Sequence, residues 1–383
     1  MMLNSKIYNE SYLVNKAVCL ESANSFFENL FSDTWNIDHA TYTLKNDYIC
    51  YGSSLYSVNN KLEQEIFCNG SRYYECKNLP HKEQLSKDIF LHKETTKKTL
   101  KLENIYIFNK TNNWSNKFFH FLTDVLLKVQ MLNSNISNTV LLTSDLSEKY
   151  LKVLIDILTK LNFEVIMAEE NVKYMCYNSY LLSSPVDLYG HISKSQLIFL
   201  QNLFNTVPAK KYEKIYLARR SSPDPVSNLP QRDLLNADML NGFLKVNNFK
   251  FVYPDEISIE ECSSYIRGAK YIIGVHGSQL SNIIFANKGT RILEILPENY
   301  FSKSLVCYRA LSCILELNYA YINGLTPEKY FYSGPRFKDK KEVLTSNMLL
   351  TEKKLNLIYK DLLQTLEQGK ELAARNKTAR MVF

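Results

Sequence analysis

From Leu102 onward, short apolar runs alternate with helical stretches, and this alternation most constrains the fold of the chain. In the first half, runs rich in Val, Ile, Leu and Phe are separated by segments whose apolar residues recur every three or four positions. The predicted strands of this half are 104–108, 139–143 and 163–168, and the predicted helices are 116–132 and 147–161. Such alternation predicts βαβ units on a parallel sheet.

The second half repeats the pattern. Its predicted helices are 193–206, 236–246, 258–267 and 300–315, and its predicted strands are 214–219, 249–254, 269–275, 290–296 and 317–322. A long, charged amphipathic helix is predicted over 351–374. The expected architecture is α/β, with two Rossmann-like domains facing a cleft and the C-terminal helix packing back over them. The expected domains are 1–207, 208–330 and a helical tail at 331–383, and residues 1–100 hold short strands and turns.

Composition narrows the class of protein. Hydrophobic residues are 45% and charged residues 22% of the chain, which is typical of a soluble globular protein and excludes a disordered chain, a collagen and a coiled coil. There is no apolar run of about 18 residues and no apolar signal-peptide core at the N-terminus, and the cysteines form no Cys-x-x-Cys pair. We therefore expect a cytoplasmic protein in a reducing compartment.

The net charge of +7 suits an anionic ligand or a peripheral contact with an anionic membrane. The lysines are scattered and interleaved with acidic residues, as in 210–214 and 337–342. Nucleic-acid binding requires a basic stripe with stacking aromatic residues, so this pattern argues against it.

The segment 269–300 is the most informative for chemistry. A buried strand candidate ends before His276 and Gly277, which form a turn, and a helical run starts at Ser278. Glycine lets a backbone approach a ligand closely, and a helix N-terminus favours anions, so the turn is a candidate anion site. The next strand is predicted to end in Glu294, whose carboxylate could accept hydrogen bonds from a ribose diol. The structural alternative is a tight turn with a structural histidine and a solvated glutamate.

A second candidate pair lies in the predicted helix 116–132. His120 and Asp124 are four positions apart, so their Cβ atoms lie about 5–6 Å from each other on one helix face. The surrounding residues are apolar, and two polar side chains in such a helix are costly to bury unless they face a cleft or each other. The structural alternative is a pair that satisfies itself and anchors the helix.

The order of these motifs resembles the signature of glycosyltransferase family 61 over roughly 105–320. The residues that match in the second half are Arg219, Arg232, Asn236, His276-Gly277-Ser278, Leu280-Ser281-Asn282, the turn 285–289 and Glu294. In the first half, His120 and Asp124 match the H-x-x-x-D part of the family's N-x-[FY]-H-x-x-x-D helix, and Asn116 takes the Asn position with one additional residue before the histidine. One departure is Ala237, where the family usually has Glu and where the neighbouring Asp238 could substitute.

The resemblance implies an inverting transferase of the GT-B type that takes its sugar from a nucleotide sugar, with UDP as the first expectation and no cofactor. Without a signal peptide, the chain resembles bacterial members of the family. In the donor site that it implies, Arg219 contacts the diphosphate, and His276 with the amides of Gly277 and Ser278 surrounds the phosphates. Asn282 holds the loop or a phosphate oxygen, and Glu294 binds the ribose. Arg232 is a further donor-binding candidate. Arg220 is the weaker arginine, because it faces the other side of the strand.

An inverting transfer needs a base on the acceptor side to deprotonate the acceptor hydroxyl. We assign Asp124 as this base, with His120 orienting it or binding the acceptor, and the reverse assignment stays open. Arg219 and the helix N-terminus could stabilise the leaving nucleoside diphosphate without a metal, and no Asp-x-Asp follows a strand. The expected partners are a nucleotide-sugar donor and a glycan or lipid-linked acceptor in surface polysaccharide synthesis.

Two other functional classes fit parts of this pattern. A catalytically inactive nucleotide-sugar-binding scaffold would keep Arg219, His276 and Glu294 but lose the His120–Asp124 pair, and this chain keeps both sets. An oxidoreductase on two Rossmann domains would need a G-x-G-x-x-G turn after a strand, and no predicted strand is followed by one.

Overall fold

The chain folds into two α/β units, each with its own sheet. The first unit comprises Met1–Ser11 and Asn36–Leu203, and the second comprises Tyr12–Trp35 and Phe204–Phe383. The computed structural model describes residues 3–13, 18–19, 34–51, 54–57, 97–109, 117–143, 146–182, 192–220, 233–297, 307–325 and 347–380.

The described strands are numbered along the chain. They are β1 (Leu3–Leu13), β2 (Val18–Cys19), β3 (Thr34–Tyr51), β4 (Ser54–Ser57), β5 (Lys98–Glu103), β6 (Tyr106–Asn109), β7 (Thr139–Thr143), β8 (Glu164–Met167), β9 (Val172–Leu182), β10 (Lys214–Leu217), β11 (Lys250–Val252), β12 (Tyr271–Val275), β13 (Arg291–Pro297) and β14 (Asn318–Gly324).

The first described helix, α1, has three parts: an α-helical turn at Phe118–His120, a π-helical segment at Phe121–Leu126 and a second α-helical turn at Leu127–Val129. The other α-helices are α2 (Glu148–Lys160), α3 (Lys194–Phe204), α4 (Ala237–Val246), α5 (Ile259–Gly268), α6 (Cys307–Ile314) and α7 (Glu352–Arg380). A 3₁₀ helix spans Ser278–Phe285.

The first sheet has the order β1-β3-β9-β6-β7-β8, with β4 on β3 and β5 on β9. Strands β9, β6, β7 and β8 are parallel, whereas β3 runs antiparallel to β9. The chain extends from β6 to β7 and β8 on one side and then returns to β9 on the other. The strand order therefore reverses between β6 and β9, and α1 is the helix that follows β6.

The second sheet has the order β11-β10-β12-β13-β14-β2, and all its pairings are parallel. Every residue of β12 is buried, which is why its sequence, YIIGV, is a continuous apolar run and not an alternating one. The strand order reverses between β10 and β12. Ligands of open α/β sheets bind beyond the carboxyl ends of the strands at such a reversal.

The C-terminal helix α7 packs on the sheet of the second unit. Its Leu355, Ile358 and Leu362 are buried in one apolar cluster with Ile273 of β12 and Leu293 of β13. The helix adds polar contacts to this packing. Asp361 accepts hydrogen bonds from Tyr271 Oη at 2.8 Å and from Arg291 Nε at 3.1 Å.

The predicted alternation of strands and helices in parallel sheets is confirmed. The helical run predicted from Ser278 is present as a 3₁₀ helix. Two details were wrong: Glu294 lies inside β13, which continues to Pro297, and the N-terminal region contains β3, a strand of 18 residues. No individual strand was predicted at β1, β2, β5 or β9, and β2 pairs with β14. Among the described residues, no helix combines the length and the apolarity needed to cross a bilayer.

Candidate functional site

Arg219 and His276 follow two neighbouring strands at the point where the strand order of the second sheet reverses. Leu217, the last residue of β10, pairs in register with Gly274 of β12. Arg219 and His276 each come two positions after these partners, so they occupy equivalent positions at the carboxyl edge of the sheet. This edge at the reversal is where such sheets bind their ligands.

The turn after β12 is held by side chains of the 3₁₀ helix. A Cβ atom on Gly277 would lie 2.5 Å from Gln279 Oε1, so glycine makes room for this side chain. Gln279 Nε2 donates to the Val275 carbonyl at 2.5 Å, and Asn282 Nδ2 donates to the Gln279 carbonyl at 2.8 Å. Asn282, which was predicted to hold either the loop or a phosphate oxygen, bonds within the loop. Ser278 begins the 3₁₀ helix directly after Gly277.

Glu294 lies inside the second sheet, which differs from its predicted place at a strand end. Its side chain is fully buried, with 0% exposure. One carboxylate oxygen, Oε1, is hydrogen-bonded to His276 Nδ1, and the other, Oε2, accepts from Tyr319 Oη at 2.5 Å. Burial, reinforced by the Glu294 carboxylate, raises the pKa of Tyr319 well above its usual value, so the phenol remains a donor.

Helix α6 contributes residues that sequence reasoning missed. Tyr308 Oη donates to the Gly277 carbonyl at 2.6 Å, and the Tyr308 and His276 rings lie 5.3 Å apart between centroids. Arg309 is also buried. Its positive charge lowers the pKa of Tyr319, which opposes the increase caused by burial and by Glu294. No motif marks these residues, because they come from a helix and a strand that follow the recognisable segment.

The two arginines after β10 differ in their surroundings. Arg219 is partly buried, whereas Arg220 is exposed and pairs with Glu256. Asn236 bonds to the backbone of Leu350, donating at 2.6 Å and accepting at 3.0 Å, and Asp238 is exposed in the first turn of α4. Two residues of the predicted motifs, Asn116 and Arg232, lie outside the described residues.

His120 and Asp124 form a hydrogen-bonded pair on α1. His120 Nδ1 and Asp124 Oδ2 are 3.0 Å apart, and their side chains are 17% and 1% exposed. The Thr123 hydroxyl lies 3.0 Å from Asp124 Oδ1. Because a carboxylate oxygen only accepts, the His120 Nδ1–H is the donor, and Nε2 is the basic nitrogen of the neutral ring. The π-helical segment that carries Asp124 is a rare geometry often found at functional sites.

A third charged residue, Lys128, lies one helical turn beyond Asp124 and was not predicted as part of the site. It is fully buried, and its Nζ lies 5.5 Å from the centroid of the Phe108 ring. Burial lowers the pKa of Lys128 from 10.5 to about 7, although the Asp124 carboxylate acts in the opposite direction. The spacing of His120, Asp124 and Lys128 is visible in the sequence, but the burial of the lysine is not.

The candidate residues divide between the two units. The pair His120 and Asp124 belongs to the first unit, and Arg219, His276 and Glu294 belong to the second. Within the described residues, no group of three or more His, Cys, Asp or Glu side chains is arranged to hold a metal ion. The metal-independent chemistry expected from the sequence stays a prediction.

Residues 118–293 match the family model described as Glycosyltransferase 61. The match begins just before the His120–Asp124 pair, contains Arg219 and the His276–Gly277 turn, and ends one residue before Glu294. Over this stretch the chain is similar to glycosyltransferase family 61, the family that its motifs resemble. No curated protein matches the chain significantly.

The prediction that the protein is a glycosyltransferase is therefore confirmed. A glycosyltransferase acts on glycans, and such chemistry needs an anchored leaving group and a way to remove the acceptor proton. The second unit of this glycosyltransferase places an arginine and a histidine at the reversal of its sheet. The first unit offers a histidine ring oriented by a buried carboxylate.

Proposed function

We propose that the protein is an inverting glycosyltransferase of the GT-B type, whose second unit binds a nucleotide-sugar donor and whose first unit binds the acceptor. The observation that supports the donor site is the register of β10 with β12, which brings Arg219 and His276 to one edge at the strand reversal. A guanidinium there can bind a diphosphate through two parallel hydrogen bonds. UDP is the proposed nucleotide.

We assign His120, and not Asp124, as the catalytic base. Asp124 is almost completely buried, and each of its oxygens already has a hydrogen-bonding neighbour, His120 or Thr123. His120 is the more exposed member of the pair. A buried carboxylate that accepts from Nδ1 fixes the tautomer in which Nε2 can take a proton. The sequence favoured Asp124 and left this reverse assignment open.

In the proposed reaction, the acceptor oxygen attacks the anomeric carbon as its proton moves to His120 Nε2. The bond between that carbon and the diphosphate oxygen breaks, and the nucleoside diphosphate leaves with the electron pair. Arg219, His276 and the amides of the Gly277–Ser278 turn stabilise the charge that develops on the leaving oxygen. The anomeric configuration inverts because attack and departure occur on opposite faces.

The proposed acceptor is a glycan or lipid-linked glycan of surface polysaccharide synthesis, and the proposed location is the cytoplasm with a peripheral contact to the membrane. The net charge of +7 supports such a contact. The second candidate function is a nucleotide-sugar-binding scaffold without turnover. The hydrogen-bonded His120–Asp124 pair favours the enzyme, since a scaffold has no need for an oriented base.

A panel of nucleoside diphosphates and nucleotide sugars tests the proposal. A ligand present at 100 times its dissociation constant should stabilise the protein by about 2.7 kcal/mol, measured as a thermal shift. Release of nucleoside diphosphate from the stabilising sugar nucleotide, with and without acceptor glycans, then measures turnover. If a sugar nucleotide stabilises the protein but is not turned over with any acceptor, the result would favour the scaffold. If no nucleotide stabilises the protein, both functions would be excluded.

A further inference from the structure

The buried carboxylate of Glu294 contacts His276 and Tyr319 in the described structure. Both of its oxygens are already hydrogen-bonded, one to His276 Nδ1 and the other to the Tyr319 hydroxyl, and the side chain is 0% exposed. A ribose diol would have to displace one of these partners. These contacts are better explained if Glu294 orients His276 than if Glu294 binds the ligand.

The surroundings of Glu294 favour a positive charge on its partner. The neighbours of Glu294 on the same face of β13, Ile292 and Leu296, are buried apolar residues, and an ionised group beside them is costly unless it is compensated. Tyr319 supplies a hydrogen bond but no charge. An imidazolium at His276 would supply both.

The other groups that surround the pair come from three elements. Helix α6 brings Cys307, the Tyr308 hydroxyl and the buried Arg309, and β14 brings Tyr319. Arg219 follows the neighbouring strand β10. The donor diphosphate would add negative charge at the same turn, and this charge favours a second cation beside Arg219.

The protonation state of His276 decides what its other nitrogen can do. With Nδ1–H donated to Glu294, a neutral ring presents Nε2 as an acceptor, which repels phosphate oxygens. An imidazolium presents Nε2–H as a charged donor, which binds a phosphate oxygen more strongly than a neutral donor does.

We propose that Glu294, supported by Tyr319, is a positioning residue that holds His276 as an imidazolium for the donor diphosphate. This inference rests on the proposed function, because it requires a nucleoside diphosphate at the turn. It replaces the ribose role predicted for Glu294 and adds Tyr319 to the donor site. The consequence is that diphosphate affinity falls with rising pH as His276 loses its proton.

The test measures the affinity of the full chain for UDP and for uridine between about pH 6 and pH 10, in the wild-type protein and in three variants. In Glu294→Gln, UDP affinity near neutral pH should fall roughly 10- to 100-fold, the range expected for a charged hydrogen bond. In this variant the fall in UDP affinity with rising pH should begin at a lower pH than in the wild-type protein. Its affinity for uridine should stay unchanged. Tyr319→Phe keeps the carboxylate charge, so it should lose less affinity than Glu294→Gln. His276→Gln should abolish the pH dependence of UDP affinity, apart from the part that comes from the titration of UDP itself.

Several results would overturn the inference while leaving the proposed function intact. One is equal loss of UDP and uridine affinity in Glu294→Gln, which would restore the ribose role. Another is an identical pH profile in the wild-type and His276→Gln proteins, and this comparison decides the question even where Glu294→Gln does not fold. Failure of the wild-type protein to bind UDP would instead overturn the proposed donor, and the inference with it.

Discussion

Asp124 accepts a hydrogen bond from His120 over 3.0 Å, and the two side chains differ in exposure, at 1% and 17%. This asymmetry bears on two roles for which the sequence favoured Asp124 as the base and left the reverse assignment open. The buried Asp124 cannot approach an acceptor hydroxyl without a rearrangement, whereas His120 is the more exposed of the two. The asymmetry supports the proposal that His120 is the base and that Asp124 orients it.

The first prediction concerns turnover in variants of this pair. His120→Gln should lower the transfer rate by about 10²–10⁴-fold, because it removes the proposed proton acceptor. Asp124→Asn should also lower the rate, because an amide no longer selects the tautomer with a basic Nε2. The double variant should lose less than the product of the two single effects, since the residues act as one unit. Transfer rates measured alongside melting temperatures test this.

A matched control for these variants is Asp156→Asn on α2, an exposed aspartate of the same unit. It should change neither the rate nor the melting temperature appreciably. A His120→Gln protein with near-normal turnover would return the assignment to Asp124. A loss of melting temperature without a selective loss of turnover would show that the pair is structural.

The second prediction concerns donor binding by the two consecutive arginines. Arg219→Ala should weaken UDP binding by about 1.5–3 kcal/mol, the usual contribution of a hydrogen bond to a charged group. Arg220→Ala is the matched control, because Arg220 is exposed and pairs with Glu256. It should leave the affinity within about twofold, in keeping with the small contribution of exposed ion pairs. Calorimetric titration with UDP measures both, and equal effects would remove Arg219 from the site.

Local periodicity and turn chemistry were sufficient to predict most strands, most helices and the His276–Gly277 turn. These features depend on residues close together in sequence, such as the buried run of β12. The π-helical geometry of α1 escaped prediction, since the apolar pattern of an α-helix barely changes when one turn widens. Strand β2 was missed because two residues carry too little pattern.

The contacts of the site that were missed are non-local. Tyr319 reaches Glu294 across 25 positions of sequence, and Tyr308 reaches Gly277 across 31. Only the parallel pairing of β13 with β14 and the packing of α6 on the turn bring them together. The bounds of this strand were predicted to within one residue, 290–296 against Arg291–Pro297, but Glu294 was assigned to its end although it lies inside.

The third prediction concerns the pH dependence of stability caused by Lys128. Its pKa falls from 10.5 to about 7 on folding, so between these values the unfolded chain binds a proton that the folded chain does not. The contribution of Lys128 to the free energy of unfolding therefore rises with pH across that window. Relative to Lys128→Met, the wild-type protein should be least stable below about pH 7 and should gain up to about 1.4 kcal/mol per pH unit above it.

Denaturant unfolding of both proteins at several pH values measures this difference. Lys152→Met, at an exposed position on α2, is the control and should leave the pH dependence as it is. Parallel stability curves for the wild-type protein and Lys128→Met would contradict the lowered pKa.

The fourth prediction concerns the docking of α7 onto the second sheet. Asp361 is 7% exposed and pairs with Arg291, which is 12% exposed, and it also accepts from Tyr271. Asp361→Ala would leave a buried guanidinium and a buried phenol without this acceptor. Removal of one partner of a buried pair typically costs about 3–5 kcal/mol, so the transition of the second unit should shift to clearly lower denaturant.

The matched control for Asp361→Ala is Glu213→Ala, which breaks the ion pair between Glu213 and Lys270. Those side chains are 57% and 56% exposed, so the same type of substitution should cost at most about 1 kcal/mol. Asp361→Asn should fall between the two, because the amide still accepts from Tyr271 but carries no charge for Arg291. Equal losses in Asp361→Ala and Glu213→Ala would mean that the apolar residues of α7 hold the helix in place without help from the buried pair.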